Sequence, residues 1–579
     1  MTTFNPAEPG ARPRLHLPWP RRRTVPGPAP SVQPAVEPLL SAYRAAAVSP
    51  PGRAEMAELR RAYAVAERMH RGQTRKSGAP YITHPLAVAT ILAALGMDAT
   101  TLVAALLHDT VEDTPYTLGQ VRAEFGDEVA VLVDGVTKLD GERWGDRAEA
   151  ETFRKIVLAA AADLRVLVIK LADRLHNLRT LGFKEPKGRE RIARASLELL
   201  VPFAERLGIY ALKREMDDLS FAALDPGAYT RTRAAAEAAL ARAGDLGPAL
   251  GLLRSGLAAE RLPGEVSLRP RHLYQLFQDR GGDLTDLRPN DAARVMVVID
   301  GTEQDCYVAL GAVHAALHPI PGRVKDFIAL PKFNLYQSLH TVVIGPRGDL
   351  LDVIIRNREM HRVAEYGIIA HIRDASDQAA TADAVAGRRD LGWLRRLLTW
   401  QSGAASAEFL DSLRSDLSTG HVPVFTPAGD IVALPAGATA IDFAYALGAD
   451  TGDHCIGAVV NGRLAALSAG VRGGDVVEIL TAPDGGPSGD WLLFATTAQT
   501  RVHIQQRLSR ERADEASDAG RRTLVRALAD HRVDLLAAEG RGESLSIARE
   551  LGFAETDLMY AALDGGSLDL ATLVTRFAA

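Results

Sequence analysis

Cysteine is nearly absent from this chain: its 579 residues include two, Cys306 and Cys455, far apart. A disulfide framework and a cysteine-built zinc module are not expected, and the usage suits a reducing cytoplasm. No apolar run reaches the roughly 18 residues that span a bilayer, so no membrane helix is expected. Excess positive charge is lacking too: 67 Lys and Arg face 72 Asp and Glu, a formal net charge of −5. Binding to DNA, or to nucleic acid in general, through bulk charge is therefore not expected. Lysine stops at Lys332. The opening RPRLHLPWPRRRTVPGPAP is rich in Pro and Arg but lacks the apolar centre of a secretory signal. Residues 1–48 read as a disordered arm.

What is present is ordinary for soluble multidomain protein, with 47% apolar and 24% charged residues. The fold class expected is multidomain α+β. Residues 49–225 carry apolar positions at three- and four-residue spacing, in ATTLVAALLHDTVEDT and RVLVIKLADRLHNLRTL, and read as helical throughout. A helical linker, 226–262, follows. In 263–375 the texture changes to short β-type runs, among them ARVMVVI, HTVVIGP and LLDVIIR, which suggest a mixed α/β domain. A linker with a helix in LGWLRRLLTW covers 376–418. A second β-rich unit spans 419–483, and 484–579 returns to helices.

One group of residues stands out chemically. His108 and Asp109 sit on one otherwise apolar helix, followed by Glu112 and Asp113; His84 lies upstream and Asp173 in another apolar helix. Three- and four-residue spacing puts the 108–113 group on neighbouring positions of one helical surface. Carboxylates taken unpaired into an apolar interior cost several kcal/mol, and a bound cation offsets that cost. Imidazole plus carboxylate suits a borderline divalent ion. His84, His108, Asp109 and Asp173 are the candidate ligands. Glu112 and Asp113 then remain to position or deprotonate a water.

At these residues a resemblance becomes specific. HRGQTRKSGAPYITHPLAVATIL, AALLHDTVEDT, LVDGVTKL and IKLADRLHNLRTL resemble the HD-type hydrolase domain of the RelA/SpoT homologue family of alarmone enzymes, over about 60–225. The resemblance implies an all-helical phosphohydrolase that removes pyrophosphate from the 3′-position of (p)ppGpp, leaving GDP or GTP. It implies metal ligands at His84, His108, Asp109 and Asp173, catalytic acids at Glu112 and Asp113, and Mn²⁺ as the usual ion. It also implies nucleotide contacts at Arg75, Lys76, Ser77, Asn177 and Thr180.

Residues 269–372 are similar to the synthetase domain of the same family, a nucleotidyltransferase-type α/β unit. That domain passes pyrophosphate from ATP to GDP or GTP with Mg²⁺. PGRVKDFIALPKFNLYQSLHTVVIGP carries the likeness, and Arg269, Arg323, Lys325, Lys332, Asn334, Tyr336, Gln337 and His340 match nucleotide-binding positions. Six positions depart. Pro289 stands where the family places its magnesium-binding Asp, with Asp291 two residues off register, a displacement of roughly 6–7 Å along a strand. Asp352 replaces the catalytic Glu, Ile354 a Gln, Gln275 a Ser and Asp279 a phosphate-contacting Lys. Leu335 replaces the Gly before the stacking Tyr. These departures lead us to expect a worn, inactive synthetase. HVPVFTPAGDIVALPAGATAIDFAYALG resembles the family's TGS module, a β-grasp unit. Gly448 and Asp453 replace two family His residues there, which weakens the expectation of tRNA or ribosome contact. Three readings follow: a hydrolase-dominant enzyme, a bifunctional synthetase/hydrolase, and a non-catalytic alarmone-binding adaptor.

Overall fold

The computed structural model describes residues 32–47, 50–137, 155–156, 159–160, 162–332, 334, 336–370 and 421–578. Leu335 and the 376–418 linker with its LGWLRRLLTW helix lie outside them.

The first part is a helical bundle. It contains α1 (Val32–Ala46), α2 (Arg53–Met69), α3 (Thr83–Leu95), α4 (Ala99–Leu107), α5 (Thr110–Asp113), α6 (Leu118–Phe125), α7 (Asp127–Val136) and α8 (Arg165–Arg179). After these come α9 (Pro186–Ala195), α10 (Val201–Arg206) and α11 (Tyr210–Leu224). α4 is buried at every position but Thr100, as an apolar helix without a polar face must be. It packs against α2, α3 and α7. Asp98 starts it by accepting from the Thr101 amide at 2.9 Å.

Two expectations need correction here. The arm foreseen for 1–48 is not all arm: α1 packs on α3, and Val36, Leu39 and Leu40 are buried in the helical core. The Pro-rich flank hid this apolar spacing. The helix foreseen through His108 to Asp113 is also interrupted. α4 ends at Leu107, and the Thr110 hydroxyl takes the Leu107 carbonyl, a local bond that competes with helix continuation. Glu112 and Asp113 therefore sit on the separate turn α5.

Next come α12 (Pro226–Ala241) and α13 (Gly247–Ala259). The stretch expected as a linker does more than link, because Leu250, Leu253 and Leu257 of α13 belong to the core of the sheet region. That sheet runs β1 (Gly264–Pro270), β2 (Ala293–Ile299), β6 (Leu350–Asn357), β5 (Leu339–Ile344), β3 (His318–Pro319), with β4 (Lys325–Asp326) also on β5. β2 and β6 are parallel and the other pairs antiparallel. Helices α14 (Leu273–Asp279), α15 (Pro289–Ala292), α16 (Glu303–Ala316) and α17 (Arg358–Tyr366) complete it.

The bundle and the sheet region interlock. After α17 the chain crosses the α10–α11 turn, where the Ile368 amide donates to Leu207 O at 2.9 Å, and Ile368 and Ile369 enter the helical core. Gly367 makes the crossing possible. Its φ is 55°, and a Cβ there would stand 2.0 Å from Leu207 O, so only glycine fits.

The small unit has hairpin β7 (His421–Phe425)–β8 (Ile431–Pro435) and a sheet in the order β10 (Arg463–Ala465), β9 (Cys455–Val460), β11 (Val477–Thr481). Helices α18 (Ala440–Leu447) and α19 (Ala449–Asp453) accompany them. The 32-residue α20 (Ala498–Ala529) and four short helices form the last segment. Multidomain α+β architecture is thus what the chain has.

Candidate functional site

The bundle brings four predicted residues to one point. His84 enters from α3, His108 and Asp109 from the α4–α5 break, and Asp173 from α8; all four are buried. His84 Nε2 lies 3.2 Å from Asp173 Oδ1 and 3.5 Å from Asp109 Oδ2, and His108 Nε2 lies 3.1 Å from Asp109 Oδ1. The donor atoms of His84, His108 and Asp109 all fall within 4.8 Å of one another.

The residues present fit a divalent cation. His108 Nδ1 faces Ala105 O at 2.8 Å; a carbonyl only accepts, so that nitrogen carries a proton, and in the neutral ring Nε2 is then the bare one. Buried Nε2 has no hydrogen-bond partner among the described residues, and it faces the cluster. An orphaned imidazole nitrogen among carboxylates is the donor set of a metal site. Burial pushes the His84 imidazole below its ordinary value against the pull of Asp173. Burial alone would raise Asp109 and Asp173, but His108 and His84 pull Asp109 down and Lys170 pulls Asp173 well down. Neutral imidazole with ionised carboxylate is the form that ligates.

Surrounding groups fix these side chains. Lys170 Nζ donates to Asp173 Oδ2 at 3.0 Å, and Asn177 Nδ2 to Asp173 Oδ1 at 2.7 Å. The Tyr81 hydroxyl lies 2.9 Å from Asp109 Oδ2 and 2.7 Å from Asp113 Oδ2, tying a candidate ligand to a candidate acid. His70 stacks on the Tyr81 ring at 4.6 Å, and the Arg75 guanidinium lies 5.5 Å from it. Arg75 also donates to Asn177 Oδ1 at 3.3 Å, so the predicted loop and helix contacts meet. Lys76 and Ser77 are exposed on the same loop, Thr180 caps α8, and Glu112 is exposed on α5. Sequence reasoning missed Tyr81, Lys170 and His176. The signal for Lys170 was a lone cation in the apolar run VLVIKLA, three residues before Asp173.

A second, cationic cleft of about 200 Å³ opens between bundle and sheet. Of the predicted nucleotide residues, Arg269, Lys332, Asn334, Tyr336 and His340 line it, with Gln275 and Ile354 from the departing positions. Arg323, Lys325 and Gln337 do not. Tyr336 OH is 2.7 Å from His340 Nε2, and Lys332 Nζ is 5.0 Å from the Tyr336 ring. Burial and Lys332 push His340 down to about 3. Asp279 pairs with Arg271 at 2.6 Å, Asp352 Oδ2 lies 3.7 Å from Arg294, and Pro289 starts α15. Missed lining residues include Arg271, Arg294 and Arg356, and also Tyr210 and Lys213 of α11. The latter pair follows from the interlock of two regions, which no local motif encodes.

In the small unit, Asp453 accepts from the Tyr445 hydroxyl at 2.9 Å, and Gly448 ends α18. No described helix is long and apolar enough to cross a membrane.

Family models match three parts of the chain: an HD domain over 62–210, the region found in RelA/SpoT proteins over 269–378, and a TGS domain over 422–481. A GTP pyrophosphokinase of Streptomyces coelicolor is 47% identical over 90% of this chain and 63% of its own length. The bifunctional (p)ppGpp synthase/hydrolase RelA of Mycobacterium tuberculosis is 45% identical over 95% of this chain and 75% of its own. The bifunctional (p)ppGpp synthase/hydrolase SpoT of Escherichia coli K12 is 41% identical over 89% and 77%. These names give no support to the expectation of an inactive synthetase. With such identity over most of each chain, and with the three modules in order, this protein belongs to the RelA/SpoT family.

Proposed function

We propose that the chain hydrolyses (p)ppGpp at the helical site, releasing pyrophosphate and leaving GDP or GTP. The observation that carries this reading is the convergence of His84, His108, Asp109 and Asp173 in an apolar interior, with Glu112 and Asp113 one turn on. A divalent cation bound there, Mn²⁺ by family resemblance, supplies Lewis acidity toward a phosphoryl oxygen. Arg75, Lys76 and Ser77 hold base and phosphates at the mouth, and Asn177 and Thr180 line the approach. Glu112 and Asp113 orient the attacking water and take its proton. The water oxygen bonds to phosphorus, the P–O3′ bond breaks, and the 3′-oxygen leaves protonated.

Purified protein with Mn²⁺ is expected to release pyrophosphate from ppGpp, and chelator to stop it. Asp109→Ala or His84→Ala should lose metal and activity together, while Glu112→Gln keeps metal and loses rate. Metal-replete protein that turns over no 3′-diphosphorylated nucleotide overturns the proposal.

A second reading, bifunctional synthesis and hydrolysis, is favoured by the names of the relatives and by the cationic cleft around Tyr336. Against it stand Pro289, Asp279 and Asp352. Incubation with ATP, Mg²⁺ and GDP or GTP decides: robust (p)ppGpp formation makes the chain bifunctional, with Asp291 or Asp352 serving the metal. The Tyr445–Asp453 bond gives one replaced family His position a structural task. Uncharged tRNA or ribosomes are accordingly expected to leave hydrolysis little changed.

A further inference from the structure

His84 Nδ1 lies 2.7 Å from Nδ1 of His176, with ring centroids 4.8 Å apart. His176 sits on α8 three residues after Asp173, so helical spacing carries both to the same face. A contact between two imidazole nitrogens at this distance is a hydrogen bond holding one proton, and either ring is able to donate it.

The direction of that bond decides what His84 Nε2 is. With His176 donating, a neutral His84 has its proton on Nε2, pointing at Asp173 Oδ1 and Asp109 Oδ2, 3.2 and 3.5 Å away. That arrangement satisfies the carboxylates but leaves no lone pair for a cation. With His84 donating from Nδ1, Nε2 is bare and faces the cluster. The two rings facing this cluster therefore differ. His108 is preset by the Ala105 carbonyl, which only accepts. His84 is set by a partner that both accepts and donates.

We propose that His176 is a positioning residue for His84: it accepts the Nδ1 proton, fixes the ring orientation, and thereby makes Nε2 available to a divalent cation. This rests on the reading of the cluster as a metal site. The partner of a ligating imidazole fixes its tautomer and raises its basicity. His176 holds the link because its own backbone is anchored, its carbonyl accepting from Thr180 Oγ1 at 3.0 Å.

The test is Mn²⁺ affinity of the full chain, freed of metal by chelator and titrated against a chromophoric chelator. His176→Phe keeps a ring but offers no acceptor, and is expected to weaken Mn²⁺ binding by about 10–100-fold. His176→Leu repeats the loss should the larger ring disturb packing. His176→Asn places an amide oxygen where Nδ1 was and is expected to hold affinity within about threefold of wild type. Circular dichroism and melting in chelator confirm that the variants fold. Wild-type affinity in the Phe or Leu variant overturns the proposal, as does equal loss in the Asn variant, which would make His176 a space-filler. His84→Ala is the separate arm: unchanged affinity there sinks the metal reading itself, whatever His176 does.

Discussion

Lys170 donates to Asp173 at 3.0 Å inside the bundle, and both side chains are buried. Asp173 thus has one oxygen committed to an ammonium and the other turned toward His84. Removing one member of a buried pair costs about 3–5 kcal/mol, because the remaining charge loses its partner. Lys170→Met is expected to lower the stability of the metal-free chain by about that amount, and Mn²⁺ to restore part of it. Urea unfolding with chelator and with Mn²⁺ measures both terms. A variant as stable as wild type in chelator shows the ion pair to be dispensable.

Tyr81 joins a candidate metal ligand, Asp109, to a candidate acid, Asp113. Its hydroxyl has one proton and two carboxylates within 2.9 Å, and burial together with both acids pushes its titration up, so it stays a donor. Tyr81→Phe frees Asp113 to turn toward water while keeping the stack on His70. We expect kcat for ppGpp hydrolysis to fall by about 10–100-fold with KM little changed. A variant that loses affinity for substrate instead would place Tyr81 in the nucleotide pocket. Steady-state kinetics at saturating Mn²⁺ separates the outcomes.

The second cleft keeps groups suited to a guanine nucleotide whether or not it transfers pyrophosphate. Tyr336 and His340 are coupled at 2.7 Å, and Arg269, Arg271, Arg294 and Arg356 supply positive charge. GDP or GTP is expected to bind there, and Tyr336→Ala to weaken binding by about 1–3 kcal/mol, the scale of one base–aromatic stack. Calorimetry should use the full chain, since α13 and the Ile368–Ile369 segment tie this region to its neighbours. Absence of nucleotide binding to wild type would make the cleft a structural remnant.

The convergence of the candidate site residues in the bundle was legible because local spacing carries them. His108 and Asp109 fall within one motif, and each remaining candidate ligand sits on an apolar helix whose burial the periodicity predicts. Less legible was everything that depends on tertiary crossing. Gly367 reads as an ordinary loop glycine until Leu207 O is found 2.0 Å from its missing Cβ. Tyr210 and Lys213 look like surface residues of a helix until the cleft closes over them. α1 was lost to composition, because Pro and Arg on its flank outweighed four apolar positions at helical spacing. At the helix break beside His108 the Thr110 hydroxyl donates to the Leu107 carbonyl, a local bond that a periodicity argument does not weigh.

Acid should loosen the wall of the second cleft in two stages, and the sign follows from two lowered groups. Glu365 pairs with Arg269 and, at 3.0 Å, with Arg356, which also donates to His361 Nδ1 at 2.9 Å. Burial and Arg356 push His361 down to about 4. Unfolded, a histidine takes its proton near 6.5, so the unfolded chain binds more protons between about pH 6.5 and 4, and stability falls as pH drops through that window. Burial alone would raise Glu365, but Arg269 and Arg356 hold it below the ordinary carboxylate range. Its contribution is complete above about pH 4.3, the unfolded value, and is lost as pH falls through the lower folded value. Glu365→Gln is therefore expected to be less stable at pH 7, with Arg356 left buried without its carboxylate, and to show a flatter decline in the most acid range. His361→Asn should flatten the upper stage and leave the lower one. Urea unfolding from pH 7.5 to 3.5 reads both slopes. An unchanged acid slope in Glu365→Gln would show that the carboxylate is not held down by its two guanidinium partners.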